Sequence, residues 1–301
     1  MARVVAIVGP TASGKSALAL RAAEELGAEI VNADALQIYR GLEIGTGKPT
    51  PEEQARVPHH LVDVLDPTER FSAGEFARRA AAALSVIGRR GRVALVVGGS
   101  GLYLRALLSG IAAVPPVAPD VRRVLADRLR REGLGALRAE LERRDPATAR
   151  RVDPADKQRT LRALEVAIGT GVPISTWVAQ RSIRTVPECL WIGLTLPRAL
   201  LYDRIAARVR RMAESGWLDE VRALLASGVP RDAPALQAIG YADWMRHLDG
   251  EIGYEATVER IERATRRYAK RQETWFRRET AVRWLADSDA ALAAIRAGVS
   301  E

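Results

Sequence analysis

The chain has one cysteine, three histidines and four lysines among its 301 residues, and no apolar run approaches the ~20 residues that cross a bilayer. A lone Cys189 excludes an internal disulfide, and one thiol with three imidazoles excludes a cysteine-rich zinc site. Cys189 lies in the apolar run Cys189-Leu190-Trp191-Ile192-Gly193-Leu194, where a packed thiol is expected. His59 and His60 are adjacent, so their side chains diverge and cannot form the i, i+4 pair by which a helix binds a metal. His247 falls in a helical stretch, with a structural role expected. With no apolar segment before the first strand and no membrane span, a cytoplasmic protein is expected.

Apolar residues make up 48%, enough for one large core or two modest ones. The net charge of +9 points either to a polyanionic partner or to a generally Arg-rich composition, since arginine far outnumbers lysine and alanine, leucine and glycine are abundant. Only the placement of the charge can decide between these.

Placement is clearest at the start. Val4-Val5-Ala6-Ile7-Val8 reads as a buried parallel strand, and Gly9-Pro10-Thr11-Ala12-Ser13-Gly14-Lys15-Ser16 follows it without a gap, matching G-x-x-x-x-G-K-[ST]. A helix from Ala17 to Leu26 comes next. Strand, glycine turn and helix together aim backbone N–H groups and a helix dipole at one point, where a di- or triphosphate belongs. Lys15 adds a point charge there, and the Ser16 hydroxyl is placed to ligate a phosphate-bound Mg²⁺.

Further along, Glu29 to Val31 reads as a short strand ending in Asn32-Ala33-Asp34, and Gly41 to Thr50 as a loop. A helix is expected from Ala73 to Arg89. Val93-Ala94-Leu95-Val96-Val97 is a buried strand, ending in Gly98-Gly99-Ser100-Gly101 before a helix from Leu102 to Leu108. The dense prolines of Val114-Pro115-Pro116-Val117-Ala118-Pro119 mark a hinge. Asp120 to about Gln180 is helical throughout, and strands return at Cys189 to Leu194 and Val282 to Leu285. The expected fold is therefore α/β: a P-loop NTPase-like parallel sheet flanked by helices, formed by residues 1–113 and 187–301, with an all-helical insertion at 114–186.

Two further patterns suggest chemistry. From Glu255 to Arg278, Arg263, Arg266, Arg267, Lys270 and Arg271 recur at helical spacing, with Ile261, Ala264, Tyr268 and Trp275 expected on the opposite, packed face. Like charges three and four apart repel by about a few tenths of a kcal/mol per pair, so a solvated face relieved by Glu259, Glu262 and Glu273 competes with a face that meets an anion. Arg204, Arg208 and Arg211 repeat the spacing, and one of them is a candidate anion clamp. Asp34, past a strand on the same sheet edge as the phosphate loop, is either a turn former, a Mg²⁺ ligand or a proton acceptor.

The phosphate loop, Asn32-Ala33-Asp34-Ala35-Leu36-Gln37-Ile38-Tyr39-Arg40-Gly41, Ile44-Gly45-Thr46-Gly47-Lys48-Pro49, Pro58-His59-His60-Leu61, Gly98 to Tyr103, Gln158-Arg159 with Arg162 to Glu165, Ala238-Ile239-Gly240-Tyr241, and Ala269-Lys270-Arg271-Gln272 with Thr274 to Arg277 resemble, in order, the signature blocks of bacterial tRNA dimethylallyltransferases. The resemblance runs from Val4 to beyond Arg277. It implies transfer of a dimethylallyl group from dimethylallyl diphosphate to the exocyclic amine of an adenosine beside the anticodon in the tRNA anticodon stem-loop. It further implies Asp34 as the base, with Thr11 and Lys15 also catalytic, and the diphosphate held by Gly9 to Ser16 and Arg208. The tRNA contacts it implies are Asp34, Ala35, Leu36, Gln37, Ser100, Arg122, the segment Gln158-Arg159-Thr160-Leu161-Arg162, Lys270 and Arg271. A monomer is expected. The chain departs from the family pattern at Ala35, where serine is usual, at Ser100, where threonine is usual, and at Gly47, where alanine is commoner. The rival readings are a P-loop small-molecule kinase using ATP and an RNA-binding protein with an idle loop; intact Lys15, Ser16 and Asp34 argue against the second.

Overall fold

The computed structural model describes residues 3–180 and 188–300. Six strands form one parallel sheet: β1 (Val4–Val8), β2 (Glu29–Asn32), β3 (His59–His60), β4 (Ala94–Gly98), β5 (Leu190–Leu194) and β6 (Val282–Leu285), in the order β3-β2-β4-β1-β5-β6. Every residue of β1, β2 and β4 is buried, as required when helices cover both faces of a parallel sheet. Five of these strands coincide with the apolar runs of the sequence. The exception is β3, which is two residues long and pairs His59 with Ile30 and His60 with Val31; so short a strand carries no periodic signal.

One face of the sheet is covered by α1 (Lys15–Leu26) and α13 (Ser288–Ser300), which pack Leu18, Ala22, Leu292 and Ile295 on Val5, Ile7 and Leu95. The other carries α3 (Ala73–Arg89) and α4 (Gly101–Leu108), with Phe276 at the end of α12 (Tyr254–Phe276), against Ala6, Val8 and Val96. A third cluster joins α9 (Arg198–Glu214), α10 (Trp217–Ala226), α11 (Tyr241–Leu248) and the middle of α12 to Ile38 and Leu42. Each fully buried aliphatic side chain in these clusters stabilises the fold by about 1.5–3 kcal/mol. Gly41 to Thr50 is irregular, and α2 (Pro51–Arg56) then starts on a capping box between Thr50 and Glu53 with Pro51 in its first turn.

The chain divides into two compact units, Met1–Leu108 with Thr185–Glu301, and Ser109–Arg184. The first boundary falls at the end of α4, whose Leu107 and Leu108 are buried in the sheet unit, so it precedes the expected residue 113. The expected boundary at 186–187 lies outside the described residues. The second unit is helical among its described residues: α5 (Pro119–Arg144), bent at Gly133 with φ 79°, α6 (Pro146–Arg151), α7 (Lys157–Thr170) and α8 (Ile174–Ala179). It has its own core of Leu125, Leu137, Leu141, Ala149, Ala163 and Leu164. Buried Asp145 caps α6 through Thr148 N–H at 2.9 Å and accepts Ser175 N–H at 3.0 Å, which ties α8 to the unit. Among the described residues, no helix is long and apolar enough to cross a membrane.

The charged helix α12 differs from its sequence reading. Its buried face is Thr257, Val258, Ile261, Glu262, Ala269, Gln272 and Phe276. Ala264 and Trp275 are only half-buried, and Arg266 leaves the exposed cationic face to pair with Glu262 and lie over Tyr202. Ideal wheel positions do not anticipate which neighbour a side chain meets across a helix interface.

Candidate active site

β1 delivers the chain to Gly9, whose φ of 150° puts it in the region that favours glycine. A Cβ there would sit 2.8 Å from Leu194 O and 2.9 Å from Ser13 Oγ. Gly14, with φ 97°, ends the turn as the N-cap of α1. The first-turn N–H groups of α1 have no intrahelical partner, and Lys15 and Ser16 line a cleft of about 680 Å³, a size that suits a small ligand. Lys15 Nζ contacts Pro10 O at 3.4 Å. Burial pushes its pKa down to about 8; the Asp34 carboxylate opposes the shift and the Arg208 guanidinium adds to it. Ser13 Oγ is buried with no partner among the described residues, and the Ser16 hydroxyl is on an exposed residue.

Asp34 follows β2 in a turn built by its neighbours. Asn32 Oδ1 accepts Asp34 N–H at 3.0 Å, Asn32 Nδ2 donates to Leu61 O at 2.9 Å, and Asp34 Oδ1 accepts Leu36 N–H at 2.9 Å. Gly98 lies against the Ala33 carbonyl with no room for a Cβ. Ser100 N–H donates to Ala33 O at 3.3 Å, and Ser100 Oγ accepts Ala35 N–H at 3.2 Å. Asp34 is thus a turn former and also a cleft residue. Its other oxygen takes no hydrogen bond among the described residues.

The far wall comes from α9, α12 and the loop before α2. Arg208 is deeply placed, with burial lowering its pKa and Asp34 opposing the shift, and its Nη2 donates to Thr46 O at 3.4 Å. Gln37 Nε2 donates to Gly47 O at 3.0 Å. Lys48, its side chain 1% exposed, donates to Tyr39 O at 2.8 Å and pairs with Glu43 and Asp63, so one ammonium stitches three loop segments together. From α12, Gln272 and Tyr268 reach the cleft. Burial pushes the Tyr268 phenol up so that it keeps its proton, and Arg271 stacks on its ring with the guanidinium 5.6 Å from the centroid.

The cleft therefore gathers Thr11, Lys15, Ser16, Asp34, Gln37 and Arg208 from the sequence-based set. Ala35 and Leu36 are half-buried and pack against hydrophobic clusters, while Ser100 braces the Asp34 turn. Lys270 and Arg271 are exposed on α12. In the helical unit, Arg122 pairs with Glu165 at 2.7 Å, Arg162 with the same carboxylate at 3.2 Å and Arg159 with Asp156 at 3.5 Å, all with solvent-accessible guanidinium groups. Gln158 is exposed and Leu161 half-buried. Thr160 departs from its expected surface role: it is fully buried in α7, so its side chain cannot meet a partner from solvent. His60 binds Glu29 at 2.7 Å and His59 Nδ1 lies 2.7 Å from Val57 O.

The family model described as IPP transferase matches residues 37–279, and one described as isopentenyl transferase matches residues 2–65. A tRNA dimethylallyltransferase of Geobacter metallireducens is 46% identical over 284 residues, 94% of this chain and 92% of that protein. One of Anaeromyxobacter dehalogenans is 47% identical, over 94% and 95%. Among solved structures, the full-length tRNA isopentenylpyrophosphate transferase of Bacillus halodurans matches with TM-score 0.73 and 38% identity, covering 100% of this chain and 96% of that one. A eukaryotic dimethylallyltransferase acting on tRNA matches with TM-score 0.80 and 27% identity, covering 99% and 78%.

Proposed function

The chain belongs to the IPP transferase family of tRNA dimethylallyltransferases, and we infer from this that it transfers the dimethylallyl group of dimethylallyl diphosphate to the exocyclic N6 amine of an adenosine adjacent to the anticodon in tRNA, releasing diphosphate. The observation that carries the reading at the site is that Asp34 shares one cleft with Lys15 and Arg208. The kinase alternative has no such support from the relatives.

In the transfer, the allylic C1–O bond breaks with its electron pair passing to the diphosphate, and a C1–N6 bond forms. The N6 lone pair is delocalised into the purine ring, so the amine needs a partner for the proton it loses. We assign that proton to Asp34, whose free oxygen is available at the cleft. Backbone N–H groups of Gly9 to Ser16, Lys15 and Arg208 hold the diphosphate and stabilise the charge it gains as the bond breaks. A Mg²⁺ ion suits this site. Among the described residues no cluster of three carboxylates, imidazoles or thiols could cage a metal, but Mg²⁺ keeps waters and uses substrate phosphates, and the Ser16 hydroxyl is the protein group that would hold it beside them. When bound, the ion would add to the neutralisation of the leaving group.

Gln37 is assigned to the adenine, which must leave its stack to bring its N6 amine to Asp34 and the diphosphate in the cleft. The arginines of the helical unit and of α12 are assigned to the tRNA backbone, where shape and phosphate charge dominate recognition. The chain is proposed to act as a monomer in the cytoplasm. The test is incubation with unmodified tRNA and dimethylallyl diphosphate, followed by mass analysis of the nucleosides. A prenylated adenosine is expected; its absence, together with ATP hydrolysis, would favour the kinase.

A further inference from the structure

Glu220, in the first turn of α10, does not line the cleft, yet its carboxylate gathers four donors. Oε2 accepts the backbone N–H groups of Glu43 at 2.7 Å and Ile44 at 2.6 Å. Oε1 accepts Gly45 N–H at 3.2 Å and the Tyr241 hydroxyl at 2.7 Å. Three successive N–H groups converging on one anion make a cradle of backbone dipoles. An acid that merely answered the dipole of its own helix would face that helix's N–H groups, whereas Glu220 faces those of a loop 175 to 177 residues earlier. The same loop leans on the neighbouring indole: a Cβ at Gly45 would collide with Trp217 and lie 2.6 Å from Tyr241 Oη.

The next two carbonyls of that loop lead to the cleft. Thr46 O accepts from Arg208 Nη2 at 3.4 Å, and Gly47 O accepts from Gln37 Nε2 at 3.0 Å. We propose that Glu220 is a positioning residue for the transfer reaction: by anchoring residues 43–45 it fixes the Thr46 and Gly47 carbonyls that orient Arg208 and Gln37 toward the substrates. The proposal rests on the functional reading above and adds a residue that touches neither substrate. A cleft whose charged groups stand on a loop keeps its geometry only if the loop is itself held.

Inorganic pyrophosphate, measured by calorimetry, is the probe. Glu220→Gln turns one acceptor oxygen into an amide donor; even with the amide turned toward the Tyr241 hydroxyl, which can accept from it, Gly45 N–H loses its partner, so at least one backbone bond is lost whichever way the amide turns. Pyrophosphate affinity should fall by about tenfold, while Asp219→Asn, which alters only an exposed pair with Arg222, should leave it unchanged. The deciding measurement is a double-mutant cycle with Arg208→Ala: acting through Arg208, Glu220→Gln should have little further effect once that guanidinium is gone. Additive losses, or a folded Glu220→Gln that binds pyrophosphate as the parent does, overturn the proposal. Should Glu220→Gln not fold, Tyr241→Phe, which keeps the carboxylate and its three N–H partners, is read in the same cycle, with a loss of roughly twofold to threefold expected; additivity there overturns the proposal equally. A parent chain that binds no pyrophosphate overturns the functional reading itself, and with it the role of Glu220.

Discussion

Gln272 accepts the backbone N–H of Thr11 at 2.8 Å across 261 residues of sequence, and its Nε2 donates to Gly99 O at 3.0 Å. One buried neutral side chain near the end of α12 thereby sets the distance between the phosphate loop after β1 and the glycine turn after β4. Both turns are carboxyl ends of neighbouring strands, the edge where open parallel sheets place their ligands.

Replacing Gln272 with alanine leaves Thr11 N–H and Gly99 O without their partner in a buried setting, a cost of about 1–3 kcal/mol. The thermal midpoint should fall by roughly 2–12 °C, taking ~2–4 °C per kcal/mol for a chain of this size class. Pyrophosphate affinity should fall with it, because the loop N–H groups lose their fixed direction. Unchanged affinity in a destabilised variant would make Gln272 a structural link alone.

Lys15 carries a pH dependence whose sign follows from its depressed pKa of about 8 in the free protein. Above that pH the ammonium is lost and so is its attraction for the diphosphate; a bound polyanion favours the charged form, so binding near pH 8–9 should take up a proton. Relative to Lys15→Arg, which stays charged, parent affinity for pyrophosphate should fall as the pH rises through about 8. Calorimetry in buffers of different ionisation enthalpy reads the proton uptake directly. For folding, the native state binds fewer protons than the unfolded chain between about 8 and the ordinary lysine value of 10.5, so this group makes stability rise with pH in that window. A parent and Lys15→Arg with parallel pH profiles would contradict the shift.

Asp34→Asn should keep tRNA and pyrophosphate binding nearly intact and reduce single-turnover transfer by ~10²–10⁴-fold, the usual contribution of a positioned base. The amide still accepts Leu36 N–H through its oxygen, so the turn survives and the loss belongs to proton transfer. Turnover within a few-fold of the parent would remove Asp34 from that role.

Much of this architecture was legible in the sequence because it is written in local patterns. The phosphate loop has fixed glycine spacing, and five strands are continuous apolar runs. The parts that were not legible are tertiary. Gln272 is a neutral residue in a charged helix, and nothing within α12 marks it as the partner of a loop 261 residues away. Glu220 looks like an ordinary acid at a helix start. Thr160 sits among exposed polar neighbours, yet helical phase turns it inward, and Arg266 is drawn off its expected face by Glu262 and Tyr202. Tyr268 reads as packing on a wheel and reaches the cleft only because α12 passes beside the glycine turn.

The helical unit gives the sharpest test of how the tRNA is held. Arg122 and Arg162 share the Glu165 carboxylate and Arg159 pairs with Asp156, so each guanidinium is already partly neutralised. The Arg159–Asp156 pair is solvent-accessible and weak, on the order of 0–1 kcal/mol, and although Glu165 is buried the guanidinium groups of Arg122 and Arg162 stay open to solvent, so a phosphate can add to these contacts. Each phosphate contact steepens the dependence of log affinity on log salt by about 0.7–0.9. Arg159→Ala with Arg162→Ala should therefore flatten the slope for tRNA by roughly 1.4–1.8 while leaving pyrophosphate binding unchanged. Arg122 still answers Glu165 in that variant, which guards the fold. If the slope is the same in parent and variant, these arginines serve the stability of the helical unit, and the tRNA backbone is gripped elsewhere, with the exposed Lys270 and Arg271 of α12 the next cations to test.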